Sequence, residues 1–510
     1  MKSRWDTVEA TRCADALALR CYTSRLLGAE PALVLHGGGN TSLKLGGTLF
    51  VKGSGSDLGT VTPADFTPLD LGGTQALLEG PALDTAQMHA CLDELVVRRP
   101  APKPSVETLM HAALPARFVE HTHADAALAV ANTANGERIL ADLYGDLAPA
   151  VAYRHSGFDL ARACLDVYRQ HPSDRTIGLV LQFHGVVAFA DDARESYENM
   201  IRLAAMAESY LDRHGAWALP AAASAAPPLD RLAVARLRAA ISRAAGFPLV
   251  MRVMRDPFAR HFARRDDLEE LCGQGPATPQ HAIFGRRVPL LDADVSGFVD
   301  RYRAYLSGAL PPQAADAADP SPRIAVVGNV GVCALGVSAA HAGIAAEIFR
   351  HDMEIMTRAH AHDCYRAAPA ALMARAEVEY GGFEARERAR VATDRPLLGQ
   401  VAGVTAAALE SAPGRIEQLV REGCAVAIAG RGSLPGVDAG DAVQTFASAD
   451  ATQAGWDAFL DEALLAFGGL DLLVCTDDET RIADDTAPLL AASPVGGRVE
   501  RIASLPRTTG

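Results

Sequence analysis

Through its first 211 residues the chain alternates apolar, strand-like runs with helical patterns. LVLHG, LFVKG, FVEHTHA and IGLVLQFHGVVAFA are the runs, and a long helical stretch from about Arg194 to Leu211 closes the series. This rhythm predicts a single α/β domain over residues 1–216. Two proline-rich, small-residue stretches follow, WALPAAASAAPP (217–228) and LPPQAADAADPSP (310–322), and both read as linkers. They set off a mostly helical, Arg-rich middle segment, 229–309, whose only turn-dense feature is GPATPQH (275–281). The remainder, 323–510, starts on the strand-like run Ile324–Val327 and from about Leu397 repeats strand and helix as βαβ units do.

Chemistry concentrates in the first part. His121 and His123 lie in FVEHTHADA, where residues two apart on a strand point to one face, so two imidazoles converge. His184 follows the apolar run IGLVLQF and is a third candidate. Three histidines with an open position form a catalytic pattern for zinc or another divalent ion; buried structural histidines are the alternative. Glu107, in PSVETLMHAAL, falls in the first turn of a helix with Ser105 as its N-cap. It reads either as a carboxylate facing the histidines, with His111 one turn on to orient it or line the same pocket, or as a solvent-facing helix-dipole charge. HGGGNTS (36–42) and KGSGSD (52–57) each follow an apolar run. Their glycines and neutral donors suit a phosphate or other oxyanion, although glycine turns also join strands with no ligand.

Charge and cysteine usage exclude other classes. With 48 Lys+Arg against 62 Asp+Glu the net charge is -14, so no basic field exists for nucleic acid or anionic lipid. No apolar run is long enough for a membrane helix, and the N-terminus lacks a signal-peptide core, so a cytoplasmic protein without membrane partners is expected. Nine scattered cysteines without a CxxC pair fit reduced thiols. The only lysines are Lys2, Lys44, Lys52 and Lys103, so a mechanism that needs a lysine in the C-terminal four-fifths is excluded.

GGGNTS, KGSG, PSVETLMH, HTHADA and the later HG resemble, in order and spacing, the class II aldolase/adducin family. GPATPQH and VGNVGVCALG (327–336) extend the resemblance to its bifunctional rhamnulose-1-phosphate aldolase/short-chain dehydrogenase branch. The resemblance implies an αβα aldolase-like domain holding zinc or another divalent metal on His121, His123 and His184, with Glu107 as acid/base. Gly39, Asn40, Ser54, Gly55 and Ser105 match positions that cradle substrate phosphate. Val106 departs from a serine common in the family, which keeps a differently phosphorylated or non-phosphorylated substrate open. The activity implied is cleavage of a ketose 1-phosphate to dihydroxyacetone phosphate and an aldehyde, in a homo-oligomer. An epimerase or decarboxylase on the same site, an adducin-like scaffold, and a residual NAD-linked oxidoreductase are the alternatives.

The segment LLGQVAGVTAAALESAPGRIEQLVREGCAVAIAGR (397–431) resembles the opening βαβ of a short-chain dehydrogenase, whose turn reads TGxxxGxG. Ala406 replaces the first glycine here, and Glu410 adds a negative charge near the expected pyrophosphate. Cys475, Thr476, Asp477 and Asp478 replace the family's NNAG. No Tyr-Lys pair is available, since the last tyrosine is Tyr380 and the last lysine Lys103. The expectation is a degenerate, truncated Rossmann-like domain that binds no NAD(P).

Overall fold

The computed structural model describes residues 1–171, 173–430, 440–446 and 452–504. The parts of the expected C-terminal domain at 431–439, 447–451 and 505–510 lie outside the described residues. The chain forms two compact units. The first is Met1–Leu219 with Ala277–Gln280 and His351–Pro369; the second is Pro220–Pro276, His281–Arg350 and Ala370–Gly510.

Seven strands build the sheet of the first unit: β1 (Asn40–Leu45), β2 (Thr48–Lys52), β3 (Phe66–Asp70), β4 (Phe118–Thr122), β5 (Ala150–Val151), β6 (Gly178–Leu181) and β7 (Gly185–Ala190). Their order is β3-β2-β1-β4-β7-β6-β5, antiparallel throughout except for β5 beside β6. Every residue of β4 is buried, because helices cover both faces. On one face Val119 joins Leu109, Met110, Phe158 and Leu160, from helices Thr108–Ala113 and Phe158–Gln170. On the other, helix Ala193–Arg213 brings Ser196 Oγ to the Phe118 carbonyl and Met200 Sδ to the Thr122 hydroxyl.

Glu120, on this second face, would be a lone buried charge without Arg20 of helix Ala16–Gly28. The guanidinium donates to Glu120 Oε1 at 2.8 Å, and both side chains are fully buried. Burial pushes the Glu120 carboxyl up, with Arg20 pulling it back.

The second unit contains two sheets. β8 (Val250–Met254), β9 (Ile324–Val327) and β10 (Gly331–Gly336) form an antiparallel sheet of order β8-β10-β9. β11 (Val401–Val404), β12 (Ala425–Ala429), β13 (Val443–Phe446), β14 (Leu472–Thr476) and β15 (Arg498–Ile502) form a parallel sheet of order β13-β12-β11-β14-β15.

One reading from the sequence meets a different arrangement here. The stretch 310–322 contains helix Pro312–Ala317, and it runs inside one unit, since β8 from the middle segment pairs with β10 beyond it. A buried ion pair adds to this. Arg238, on helix Arg231–Ala245, donates to Asp471 Oδ2 at 2.7 Å and to the carbonyl of Gly399, while Asp471 accepts from Val401 N. Of the glycines in VGNVGVCALG, Gly328 and Gly331 lie at the tight turn between β9 and β10, and Gly336 ends β10. No described helix is long and apolar enough to cross a membrane.

Removing one partner of a buried ion pair strands the other. Arg20→Ala is therefore expected to lower unfolding free energy by about 3–5 kcal/mol, read from urea midpoints of the full chain. A loss below about 1 kcal/mol would show that Glu120 gains solvent or a proton at little cost.

Candidate metal centre

The register of β4 between β1 and β7 sets up the site. Asn40 pairs with His121 and Ser42 with Val119, so Asn40, Ser42 and His121 share the face covered by helix Thr108–Ala113. His123 follows the end of β4, where its backbone N–H donates to the Leu33 carbonyl. His184 sits in the short turn from β6 to β7, behind Phe183, whose φ of +55° reverses the chain. The three histidines meet: their ligand nitrogens all lie within 4.8 Å of one another.

Hydrogen bonds on the far side of two rings decide which nitrogen faces inward. The His121 Nδ1–H donates to the Val186 carbonyl at 3.1 Å, and the His123 Nδ1–H donates to Gln280 Oε1 at 2.7 Å. Both Nε2 atoms are then proton-free, and they approach to 3.2 Å. Converging lone pairs of this kind fit a cation. Burial lowers His121 to about 4, so it is neutral at physiological pH and needs no deprotonation to bind a metal. The donor set matches the three-histidine, open-position pattern of divalent ions such as zinc.

Glu107 lies against this cluster. Its Oε1 is 3.0 Å from His184 Nε2 and its Oε2 is 3.4 Å from His121 Nε2. Burial would raise its carboxyl, yet His121 and His184, with a hydrogen bond from Asn40, hold it well below the usual carboxylate range. The expected cap geometry is corrected: the helix is Thr108–Ala113, and Glu107 itself occupies the N-cap position. Ser105 belongs to the preceding turn, where its carbonyl accepts Thr108 N–H and its Oγ accepts Glu107 N–H. The carboxylate is thus buried at the histidines and does not face solvent as a helix-dipole charge.

His111 acts on Glu107 through Asn40. Burial depresses its pKa well below the ordinary value, so it is neutral. Its Nε2–H donates to Asn40 Oδ1, and its Nδ1 accepts from Ser42 Oγ at 2.8 Å. With Asn40 Oδ1 so occupied, Asn40 Nδ2 must face Glu107 Oε2, to which it donates at 2.6 Å.

The expected anion cradle is drawn together beside the carboxylate. Gly39 has φ +63°, and a Cβ there would meet the His121 carbonyl at 2.9 Å, so only glycine passes. Asn40 Nδ2 is 3.5 Å from Ser105 Oγ, while Ser54 N donates to the Lys103 carbonyl, bringing Ser54 and the left-handed Gly55 alongside residues 103–105. Lys52, buried under both glycine-rich segments, ties them by donating to the carbonyls of Ser56 (2.6 Å) and Gly37 (3.4 Å). Burial lowers it to about 8, against the pull of Asp57, Glu107 and Asp65.

Two contacts were not legible in the sequence. Ser156 Oγ donates to Glu107 Oε1 at 3.3 Å, from a turn carrying no motif, and Gln280 reaches His123 from the GPATPQH segment.

Residues 18–211 match the family described as Class II Aldolase and Adducin N-terminal domain, and residues 229–386 match Aldolase class II, second domain. The chain carries class II aldolase/adducin family domains. A curated relative, the "Uncharacterized oxidoreductase YuxG" of Bacillus subtilis (strain 168), is 26% identical over 389 residues, 70% of this chain and 56% of that protein. The chain thus spans just over half the length of that relative. Among solved structures, the N-terminal class II aldolase domain of a conserved protein from Thermoplasma acidophilum is 33% identical, with 41% of this chain and 99% of that chain covered and a TM-score of 0.38. An L-fuculose-1-phosphate aldolase from Thermus thermophilus is 20% identical, with 40% and 96% covered and a TM-score of 0.28.

Lys52 gives the class II aldolase domain a pH signature. Its folded pKa of about 8 lies below the ordinary 10.5, so between those values the unfolded chain binds more protons and stability rises with pH. Lys52→Met is expected to lose that part of the slope. Denaturation midpoints at about pH 7.5 and about pH 10 measure it, and equal slopes in the two proteins would contradict a buried, depressed lysine.

Proposed function

We propose that the aldolase domain cleaves a ketose 1-phosphate, most like rhamnulose 1-phosphate, to dihydroxyacetone phosphate and a short aldehyde. The single observation that carries the reading is Glu107, a buried carboxylate 3.0–3.4 Å from two of three converging imidazoles and oriented by Asn40 and His111. A purely scaffolding domain has no use for that combination. A divalent ion, zinc or a similar one, would be held by His121, His123 and His184 and would supply Lewis-acid polarisation of the ketose carbonyl and its neighbouring hydroxyl.

The remaining roles fall to the chain's own groups. Glu107 accepts the proton of the hydroxyl that becomes the aldehyde oxygen as the carbon–carbon bond breaks, then returns a proton to the carbon left behind. Gly39, Asn40, Ser54, Gly55 and Ser105 offer neutral donors to the substrate phosphate, with Lys52 beneath them as the adjacent positive charge. A homo-oligomer is part of the same reading. Epimerisation or decarboxylation could use the same groups, and product analysis with sugar phosphates separates these reactions.

The oxidoreductase name of the Bacillus subtilis relative favours a second reading, in which the C-terminal part binds NAD(P). The strand order β13-β12-β11-β14-β15 supports a Rossmann-like origin. Its ligand crevice, at the carboxyl ends of β11 and β14, argues for a non-binding descendant. There the Glu479 carboxylate accepts from Thr405 Oγ1, Thr476 N and Thr476 Oγ1 at 2.7–2.9 Å, occupying backbone and hydroxyl donors with an internal anion. The following helix, Ala406–Ser411, is six residues long and contains no glycine. Measurable NAD(H) binding in a titration would favour the oxidoreductase reading.

The aldolase reading is tested by metal content and turnover together. About one divalent ion per chain is expected in wild type and in Glu107→Gln, and none in His123→Ala. Cleavage of a ketose 1-phosphate should fall by roughly 10²- to 10⁴-fold in Glu107→Gln. Full turnover in that variant would remove Glu107 as the acid/base.

A further inference from the structure

The histidine cluster borrows a residue from outside the motif-bearing domain. Residues 277–280 lie within the match to the second aldolase domain, yet they belong to the first compact unit. The segment is anchored at its start, where the Ala277 carbonyl accepts from Asn132 Nδ2 and Ala277 N–H donates to Asp352 Oδ1, both at 2.8 Å. At its end, Gln280 is held by both ends of its amide. Nε2 donates to the Leu35 carbonyl at 2.9 Å, which leaves Oε1 to accept the His123 Nδ1–H at 2.7 Å. The fixed amide permits one tautomer of His123, the one with Nε2 proton-free and turned toward His121 Nε2.

The glycine-rich segment is shaped to admit this side chain. A Cβ on Gly38 would come within 2.3 Å of Gln280 Oε1 and 2.6 Å of its Nε2. Gly38 is not in the left-handed region, so its lack of a side chain serves space here and not backbone conformation. Gln280 therefore fills the gap between the expected anion cradle and the imidazole.

We propose that Gln280 is a positioning residue for the metal centre: it fixes the tautomer and ring orientation of His123, and thereby makes the second aldolase domain a contributor to metal affinity. The inference rests on the reading of His121, His123 and His184 as metal ligands.

The test is Co²⁺ affinity of the full-length chain by chelator competition, with the visible Co²⁺ spectrum as a second readout. Wild type, Gln280→Ala, Gln280→Glu, Gly38→Ala and His123→Ala are compared. Gln280→Ala is expected to weaken binding by about 10- to 100-fold and to change the spectrum, as lost outer partners of ligating histidines do. Gln280→Glu keeps an oxygen acceptor for Nδ1–H and is expected to restore most of the affinity. Gly38→Ala leaves the glutamine in the sequence but displaces it, and should weaken binding in the same direction, which keeps the test open if Gln280→Ala does not fold. Affinity within about twofold of wild type in both Gln280→Ala and Gly38→Ala, with binding lost in His123→Ala, would overturn the role of Gln280 while leaving the three-histidine reading intact. No Co²⁺ binding by wild type would overturn both.

Discussion

The pairing of β4 with β1 on one side and β7 on the other is the constraint from which the site follows. Antiparallel register places Asn40 opposite His121 and Val187 on its far side, so the first metal-facing imidazole emerges from the middle of a seven-stranded sheet. A one-residue slip would turn His121 to the opposite face and bring Glu120 to this one. The buried Arg20–Glu120 pair opposes that slip, because the carboxylate meets Arg20 on the helix Ala16–Gly28 side. Register, charge burial and metal geometry are thus coupled through two adjacent residues of one strand.

From that strand the electrostatics propagate outward by donor and acceptor counting. Neutral His111 has one donor and one acceptor nitrogen. Giving the acceptor role to Nδ1 at Ser42 fixes the donor at Asn40, and the Asn40 amide then has only its NH₂ group for Glu107. Val186 and Gln280 do the same for His121 and His123. The contacts of His121 and His123 each fit one protonation pattern, and they leave two Nε2 lone pairs facing inward with a carboxylate beside them. Such an arrangement is expensive without a cation and well adapted to one.

Much of the site was readable in the chain itself. The period-two spacing of His121 and His123 on an apolar run, and a glutamate expected in the first turn of a helix, correspond to groups the fold brings together. The glycines at 39 and 55 are at left-handed positions, as turn chemistry suggests. The contacts of Ser156 and Gln280 were not readable, because each contributes a single oxygen from a distant part of the chain, Ser156 from a turn without a motif and Gln280 from the start of helix Pro279–Gly285. The cap of the Thr108–Ala113 helix was misplaced by two residues, since Pro104, paired across to Gly53, carries the chain through an extra turn before the helix starts. The boundary expected at 310–322 failed for a related reason: composition marks a loop-like stretch, but only pairing of β8 with β10 shows that the chain on both sides shares a core.

The central claim is that three imidazoles, one of them steered by the second aldolase domain, hold a divalent ion beside Glu107. Anomalous scattering from zinc-soaked crystals of the full-length protein tests it most directly. The account predicts a peak about 2.0–2.1 Å from Nε2 of His121, His123 and His184. A peak at other side chains, or none at these three nitrogens under saturating zinc, would contradict it.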